Sequence, residues 1–279
     1  MRRGRRIILI VLLIVALGAA VYPIISDYFV SKLNAEIVLE EKKNQADTKK
    51  EALVEAKAAA VRYNERLVLG ESDVDEYNSL LNISGNGIMG VVEIPVISVT
   101  LPIYHGCDDE VLEHGIGHVY GSSLPIGTAS SHACLSGHSA MQSQKMFTDL
   151  ERLEHGDLFH LYVLDEKLTY KVDQIKTVLP EEVGDVSIEQ GKDYVTLITC
   201  TPYGINTHRL LVRGERITET QTSEFPQTAT PKKSLWHEKY IEAILLGVGT
   251  AVVVLVFYFS LRKIFNRRKN NEKYSNERP

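Results

Sequence analysis

The chain has 279 residues, 44% of them hydrophobic and 24% charged, with a formal net charge of −5. That is enough apolar material for one sizeable core. The charge is uneven: residues 26–240 hold 20 Lys+Arg against 33 Asp+Glu, a formal −13, while both ends are basic, and an acidic middle of this kind argues against nucleic acid as a partner.

Residues 7–25 carry no charge and follow Arg2, Arg3, Arg5 and Arg6. The run is close to the ~20 residues that span a bilayer. Its basic flank predicts a cytoplasmic N-terminus. A secretory signal is the rival reading, weakened by the length of the run and by the lack of a small-x-small cleavage site. Residues 31–69 contain no Gly or Pro and are dense in Ala, Glu, Lys and Leu, which predicts one or two helices. Gly70 to Asn86 is polar and turn-rich and reads as a loop.

From Met89 onward the pattern becomes short β-type runs: Val91–Ile97, Val99–Tyr104, His132–Gly137, Leu158–Val163, Leu168–Leu179, Tyr194–Thr199 and Arg209–Ile217. Helical pieces near Glu110–Gly115 and Gln144–Leu153 interrupt them. Seven or more strands in about 130 residues suit a closed barrel or a sandwich. Ser223 to Lys233 is a polar tether, and a second apolar run covers 241–261 with Glu242 as its only charged residue. Arg262, Lys263, Arg267, Arg268 and Lys269 follow it, so the C-terminus is also expected in the cytoplasm and residues 26–240 outside.

Three cysteines, Cys107, Cys134 and Cys200, are too sparse for a disulfide scaffold, although a Cys107–Cys134 bond is conceivable. Cys134 reads as a packed small hydrophobe and Cys107 as a loop residue. Cys200 ends the strand Tyr194–Thr199, and Arg209 opens the next strand after the turn Thr201-Pro202-Tyr203-Gly204. A thiolate is the reactive form of cysteine and a nearby cation stabilises it. All nine histidines lie within residues 26–240. His114, His155, His160 and His237 have charged or exposed-looking neighbours, and His105 and His118 adjoin glycines in expected turns. His208 precedes Arg209, and adjacent strand residues point to opposite faces. His138 stands at a strand-to-loop junction, a common place for catalytic groups, and is modestly favoured over a structural role. The cysteines lack C-x-x-C spacing and the histidines lack an H-E-x-x-H pattern, so no metal or other cofactor is expected.

Thr196-Leu197-Ile198-Thr199-Cys200 is similar to the T-L-x-T-C signature of sortases, and Thr201 to Leu210 continues the pattern of class C, the pilus-assembling sortases of Gram-positive bacteria. Ser136-Gly137-His138, Glu93-Ile94-Pro95 and Leu101 to Gly106 also resemble that class. The resemblance implies an eight-stranded β-barrel with added N-terminal helices, flanked by two transmembrane helices. It implies a transpeptidase for LPxTG-like sorting signals, with Cys200 as nucleophile, His138 as general acid and base, and Arg209 as the group holding the substrate carbonyl or oxyanion. Its partners would be pilin subunits carrying such signals and a lysine amine of another pilin. The alternatives are a sortase using a peptidoglycan amine, a surface cysteine protease and an inactive binding barrel. The expected layout is a basic cytoplasmic N-terminus (1–6), a span (7–25), an extracellular helical segment with a lid-like loop near 70–79 (26–86), the catalytic barrel (87–219), a tether (220–240), a second span (241–261) and a basic tail (262–279). Class C lids usually carry Asp-Pro-aromatic. Here Asp73, Asp75 and Tyr77 stand without the proline, so a weakly held or open lid is expected.

Overall fold

Helix-favouring composition without a breaker between Ile24 and Asp47 lets the first apolar run continue far beyond the expected span. In the computed structural model α1 extends from Arg2 to Asp47, with Pro23 inside it. The structure describes residues 2–141, 143–182, 186–218 and 231–276. The tether expected near 223–233 therefore lies mostly outside the described residues. Asn34, Val38, Glu41 and Gln45 are buried on α1, at the 3–4 residue spacing of one helical face. Glu41 accepts hydrogen bonds from Gln45 (3.0 Å) and from the Ser84 hydroxyl (2.7 Å), which satisfies a carboxylate that would otherwise be costly to bury. Helix α2, Lys50–Val68, buries Leu53, Ala60, Tyr63 and Asn64, again a single face.

A third helix, α3, spans Val74–Ser79 inside the stretch expected to be a loop. Asp73 caps it, accepting from the Glu76 N–H at 2.8 Å. Asp-x-x-Glu is the spacing of a helix start, a signal that the abundance of turn-forming residues around it outweighed. Tyr77 is 2% exposed. Its hydroxyl accepts from Gly106 N–H (3.0 Å) and lies 3.0 Å from both His118 Nδ1 and His118 O. Arg66 pairs with Glu76. The segment is thus anchored on α2 and the barrel rather than loosely held, and the anchor is an aromatic hydroxyl that needs no proline.

Eight strands follow: β1 Ile88–Ile94, β2 Val99–His105, β3 Ile116–His118, β4 Ser131–Ser136, β5 Leu158–Val163, β6 Glu166–Val178, β7 Asp193–Thr201 and β8 His208–Ile217. They form a closed barrel in the order β1-β2-β3-β4-β7-β8-β6-β5, and β5 closes onto β1. Closure removes every exposed sheet edge. The β2–β3 and β4–β7 pairs are parallel and the rest antiparallel. Strand β1 stops at Ile94, short of the expected Ile97, because Pro95 opens a 3-10 turn over Pro95–Ile97. Strand β3 has three residues, too few for an alternating pattern to reveal. Helix α4 spans Asp109–His114 and a 3-10 turn covers Thr148–Arg152. The barrel is filled by Leu135, Phe147, Phe159, Leu161, Tyr170, Val195, Leu197 and Val212. The Phe159 and Tyr170 rings stack at 5.5 Å.

Helix α5 spans Leu235–Asn276, and from Trp236 onward it belongs to a separate unit. Among the described residues, two helices are long and apolar enough to cross a membrane, within Val11–Asp47 and Leu235–Tyr258.

Candidate active site

Cys200 lies one residue before the end of β7, which extends through Thr201 rather than stopping at Thr199. Its cross-strand partner on β8 is Arg209. Residues directly opposite in an antiparallel pair share one face, with Cβ atoms about 4.5–5.5 Å apart. The thiol and the guanidinium stem therefore stand on the same side of the sheet. His208 pairs with Thr201 and falls on the other face. Core residues Val195 and Leu197 alternate with Thr196, Ile198 and Cys200, so Cys200 points away from the barrel interior.

His138 arrives from β4. The β4–β7 register runs from Ser131↔Asp193 to Ser136↔Ile198, and two further residues bring His138 level with Cys200. Three hydrogen bonds hold the chain alongside β7 past the last paired residue. Gly137 N–H donates to Ile198 O (3.0 Å), Thr199 Oγ1 donates to Gly137 O (2.7 Å), and Ser139 Oγ donates to Cys200 O (2.7 Å). In this register His132, Cys134, Ser136 and His138 share the outer face with Cys200. Gly137 is required sterically, since an added Cβ would lie 2.6 Å from Ile116 Cδ1 and 2.8 Å from the Phe147 ring. The three expected residues, His138, Cys200 and Arg209, are thus brought to one end of one face and are all half-buried.

Arg209 donates to the backbone carbonyls of His208 (3.2 Å) and Asn206 (3.5 Å), and it forms no ion pair among the described residues. Arg213, two positions along the same face, is bound by Asp173 (2.7 Å) and Glu189 (3.3 Å) and stacks over Tyr194. Of these two arginines, Arg209 is the one left free of a carboxylate. The other thiols are placed for packing: all three cysteines are free, burial pushes Cys107 up to about 11 and Cys134 up to about 12, and no Cys107–Cys134 bond is present. Both are held neutral and poorly nucleophilic.

Several histidines differ from expectation. His160 is buried on β5, bonded to Thr169 Oγ1 (3.0 Å), and its burial lowers its pKa to about 4. His105 and His118 belong to strands, and His118 is fully buried with its pKa also lowered to about 4 by burial. His132 is held by Ser187 O (2.8 Å) and Thr196 Oγ1 (2.7 Å), a packing role. The hydroxyls of Ser139, Thr199 and Thr201 around the site are not identifiable from residue type alone. Their positions beside His138 and Cys200 are the signal. No group of three or more His, Cys, Asp or Glu among the described residues is arranged to hold a metal ion.

A family model for the sortase domain matches residues 92–217. The chain is 31% identical over 132 residues to sortase D of Bacillus subtilis, covering 46% of this chain and 64% of that protein. It is 28% identical over 130 residues to sortase A of Bacillus anthracis, covering 47% and 60%. The chain thus spans less than two thirds of the length of these curated relatives. Among solved structures, sortase C1 from Streptococcus agalactiae is 41% identical with a TM-score of 0.64, covering 66% of this chain and 99% of that one. Sortase C from Clostridium perfringens, in a structure with the C-terminal cell wall sorting motif, is 40% identical with a TM-score of 0.60, covering 66% and 99%. Barrel topology, motif and these similarities converge, and the chain belongs to the sortase family, with class C sortases as its structural neighbours.

Proposed function

We propose that this chain is a membrane-anchored cysteine transpeptidase that joins pilin subunits. Cys200, as thiolate, attacks the Thr–Gly carbonyl of an LPxTG-like sorting signal. His138 protonates the departing glycine amine, leaving a thioester on Cys200. A lysine amine of a second pilin then attacks the thioester, gives its proton to His138, and expels the thiolate as the isopeptide bond forms. Arg209 donates to the carbonyl oxygen as negative charge develops on it, an electrostatic role. The observation that carries this reading is the Cys200↔Arg209 cross-strand pair, with Gly137 and Ser139, on either side of His138, hydrogen-bonded to β7. Pilin as partner is supported by the class C neighbours. Spans at both ends, with both termini in the cytoplasm, would hold the barrel at the outer membrane surface.

The test is intact-mass spectrometry of the full-length chain in detergent with an LPxTG-like peptide. The expected product is an adduct equal to the peptide up to Thr, present on the wild type and lost in Cys200→Ala. Adding a lysine-containing pilin or a peptidoglycan amine then identifies the acceptor. Release of free acid alone in the presence of either amine would point to a protease instead.

A further inference from the structure

The short segment that follows the His138 loop touches both sides of the site. Phe147 N–H donates to His138 O at 3.0 Å, and Thr148 Oγ1 accepts from Ala140 N–H at 2.9 Å. Four residues after Phe147, Glu151 Oε1 accepts from Thr201 Oγ1 at 2.6 Å, directly beside Cys200. Between these contacts sits Asp149, fully buried, with Oδ2 2.8 Å from Lys145 Nζ and Oδ1 accepting from Leu235 N–H at 2.7 Å. Lys145 also donates its N–H to Asp27 Oδ1 on α1 (2.8 Å) and its ammonium to Ile97 O. Phe147 is fully buried against Gly137.

We propose that the Lys145–Arg152 segment is a positioning bracket for the transfer reaction, in which the Phe147–His138 and Glu151–Thr201 contacts set the spacing of His138 from Cys200. The proposal rests on the functional reading given above. A buried ion pair is weak evidence for stability but is suited to fixing one register. Here the Asp149 carboxylate is buried and Lys145 half-buried, and their pairing together with the contacts to Asp27, Ile97 and Leu235 fixes the segment that joins the two contacts. Neither Glu151 nor Thr201 is asked to touch substrate. Their contact matters because displacement of catalytic groups by about 1 Å costs up to about 100-fold in rate.

Asp149 and Lys145 are integral to the fold, so the informative variants lie at the outer contact: Glu151→Ala, Glu151→Gln, Thr201→Val, and Glu151→Ala with Thr201→Val. The full-length chain in detergent micelles is assayed for acylation by an LPxTG-like peptide, for thermal unfolding, and for the pH profile of Cys200 alkylation by iodoacetamide. Glu151→Ala and Thr201→Val are each expected to slow acylation about 10-fold, with KM within about twofold and an unfolding midpoint lowered by no more than about 5 °C. The double variant should be no slower than either single one, because both remove the same contact. Glu151→Gln, which keeps the acceptor oxygen, should recover to within about threefold of wild type. The alkylation profile should shift in the Ala and Val variants, since the coupling of Cys200 and His138 depends on their separation. Acylation within twofold of wild type in both single variants overturns the bracket, as does a double variant whose losses multiply. Glu151→Gln as slow as Glu151→Ala would assign Glu151 a charge effect instead. If the wild type forms no acyl-enzyme, the functional reading fails. The alkylation profiles still decide whether the bracket sets the His138–Cys200 geometry, because they need no peptide.

Discussion

Replacing Tyr77 with phenylalanine tests the anchor of α3. His118 is buried and neutral, so its imidazole carries one proton. Ser123 O, 2.8 Å from Nε2, can only accept, so the proton sits on Nε2, and the one proton of the Tyr77 hydroxyl is offered to two acceptors, Nδ1 and His118 O, each 3.0 Å away. The same oxygen accepts the Gly106 N–H. Tyr77→Phe therefore leaves one donor and one acceptor without partners, each costing about 1–3 kcal/mol. Gly106 is only part-buried, which places the sum at about 2–4 kcal/mol. At about 2–4 °C per kcal/mol for a domain of this size, the unfolding midpoint should fall by roughly 5–15 °C. Asp73→Ala, which removes only a helix cap, should cost about 1 kcal/mol. The ring and hydrogen-bond partners of Tyr77 lie on α2, β2, β3 and the turn after β3, so Cys200 alkylation should change by less than about threefold. Thermal unfolding of the full chain in detergent, followed by near-UV circular dichroism, is the assay. A midpoint within about 2 °C of wild type would refute the accounting of these bonds, and a rise in alkylation of two orders of magnitude would show that α3 shields the thiol.

Cys200→Ala should abolish labelling by iodoacetamide at pH 7.5, whereas Cys107→Ala and Cys134→Ala should leave it unchanged, because burial keeps those two thiols protonated; peptide mapping of the labelled protein decides this. Arg209→Lys should lower acylation at least ~100-fold, since a point-charge ammonium does not reproduce the planar fork of the guanidinium; a variant within tenfold of wild type would remove Arg209 from the mechanism. Acid should destabilise the fold between about pH 6.5 and 4, where unfolded histidines take up protons that buried His118 and His160 refuse. Asp193 works in the opposite sense, as burial raises its carboxyl to about 6 and the folded state takes up a proton there first, so Asp193→Asn should make the loss on acidification steeper in urea titrations; a shallower loss would reverse the sign assigned to Asp193. Tags at Met1 and Pro279 should survive protease added to intact protoplasts while residues 26–240 are digested, and loss of either tag would overturn the proposed topology.

The site was legible where chemistry and strand pattern coincided. Cys200 and Arg209 are near in sequence, and the alternating burial of β7 and β8 puts them opposite one another from local pattern alone. The selection of His138 needed the resemblance, because its approach to Cys200 depends on a parallel β4–β7 register that connects distant segments. The anchoring of α3 was hidden because acidic and turn-forming residues around Tyr77 suggest solvent, while its burial is decided by His105, His118 and Tyr120 from elsewhere in the chain. His160 was misjudged for the same reason: Thr169, its partner, is supplied by the neighbouring strand β6.

The parallel pairing of β4 with β7 also dictates when the site comes into being. Cys200 and Arg209 lie on one local hairpin, whereas the Ser139–Cys200 contact joins positions 61 residues apart. Local hairpins close quickly, and pairings of high sequence separation form late because the intervening loop must first be ordered. On this order of events, Cys200 and Arg209 stand opposite one another before His138 is in place. The proposed site is therefore complete only on barrel closure, and an incompletely folded molecule would carry its parts without the geometry to use them.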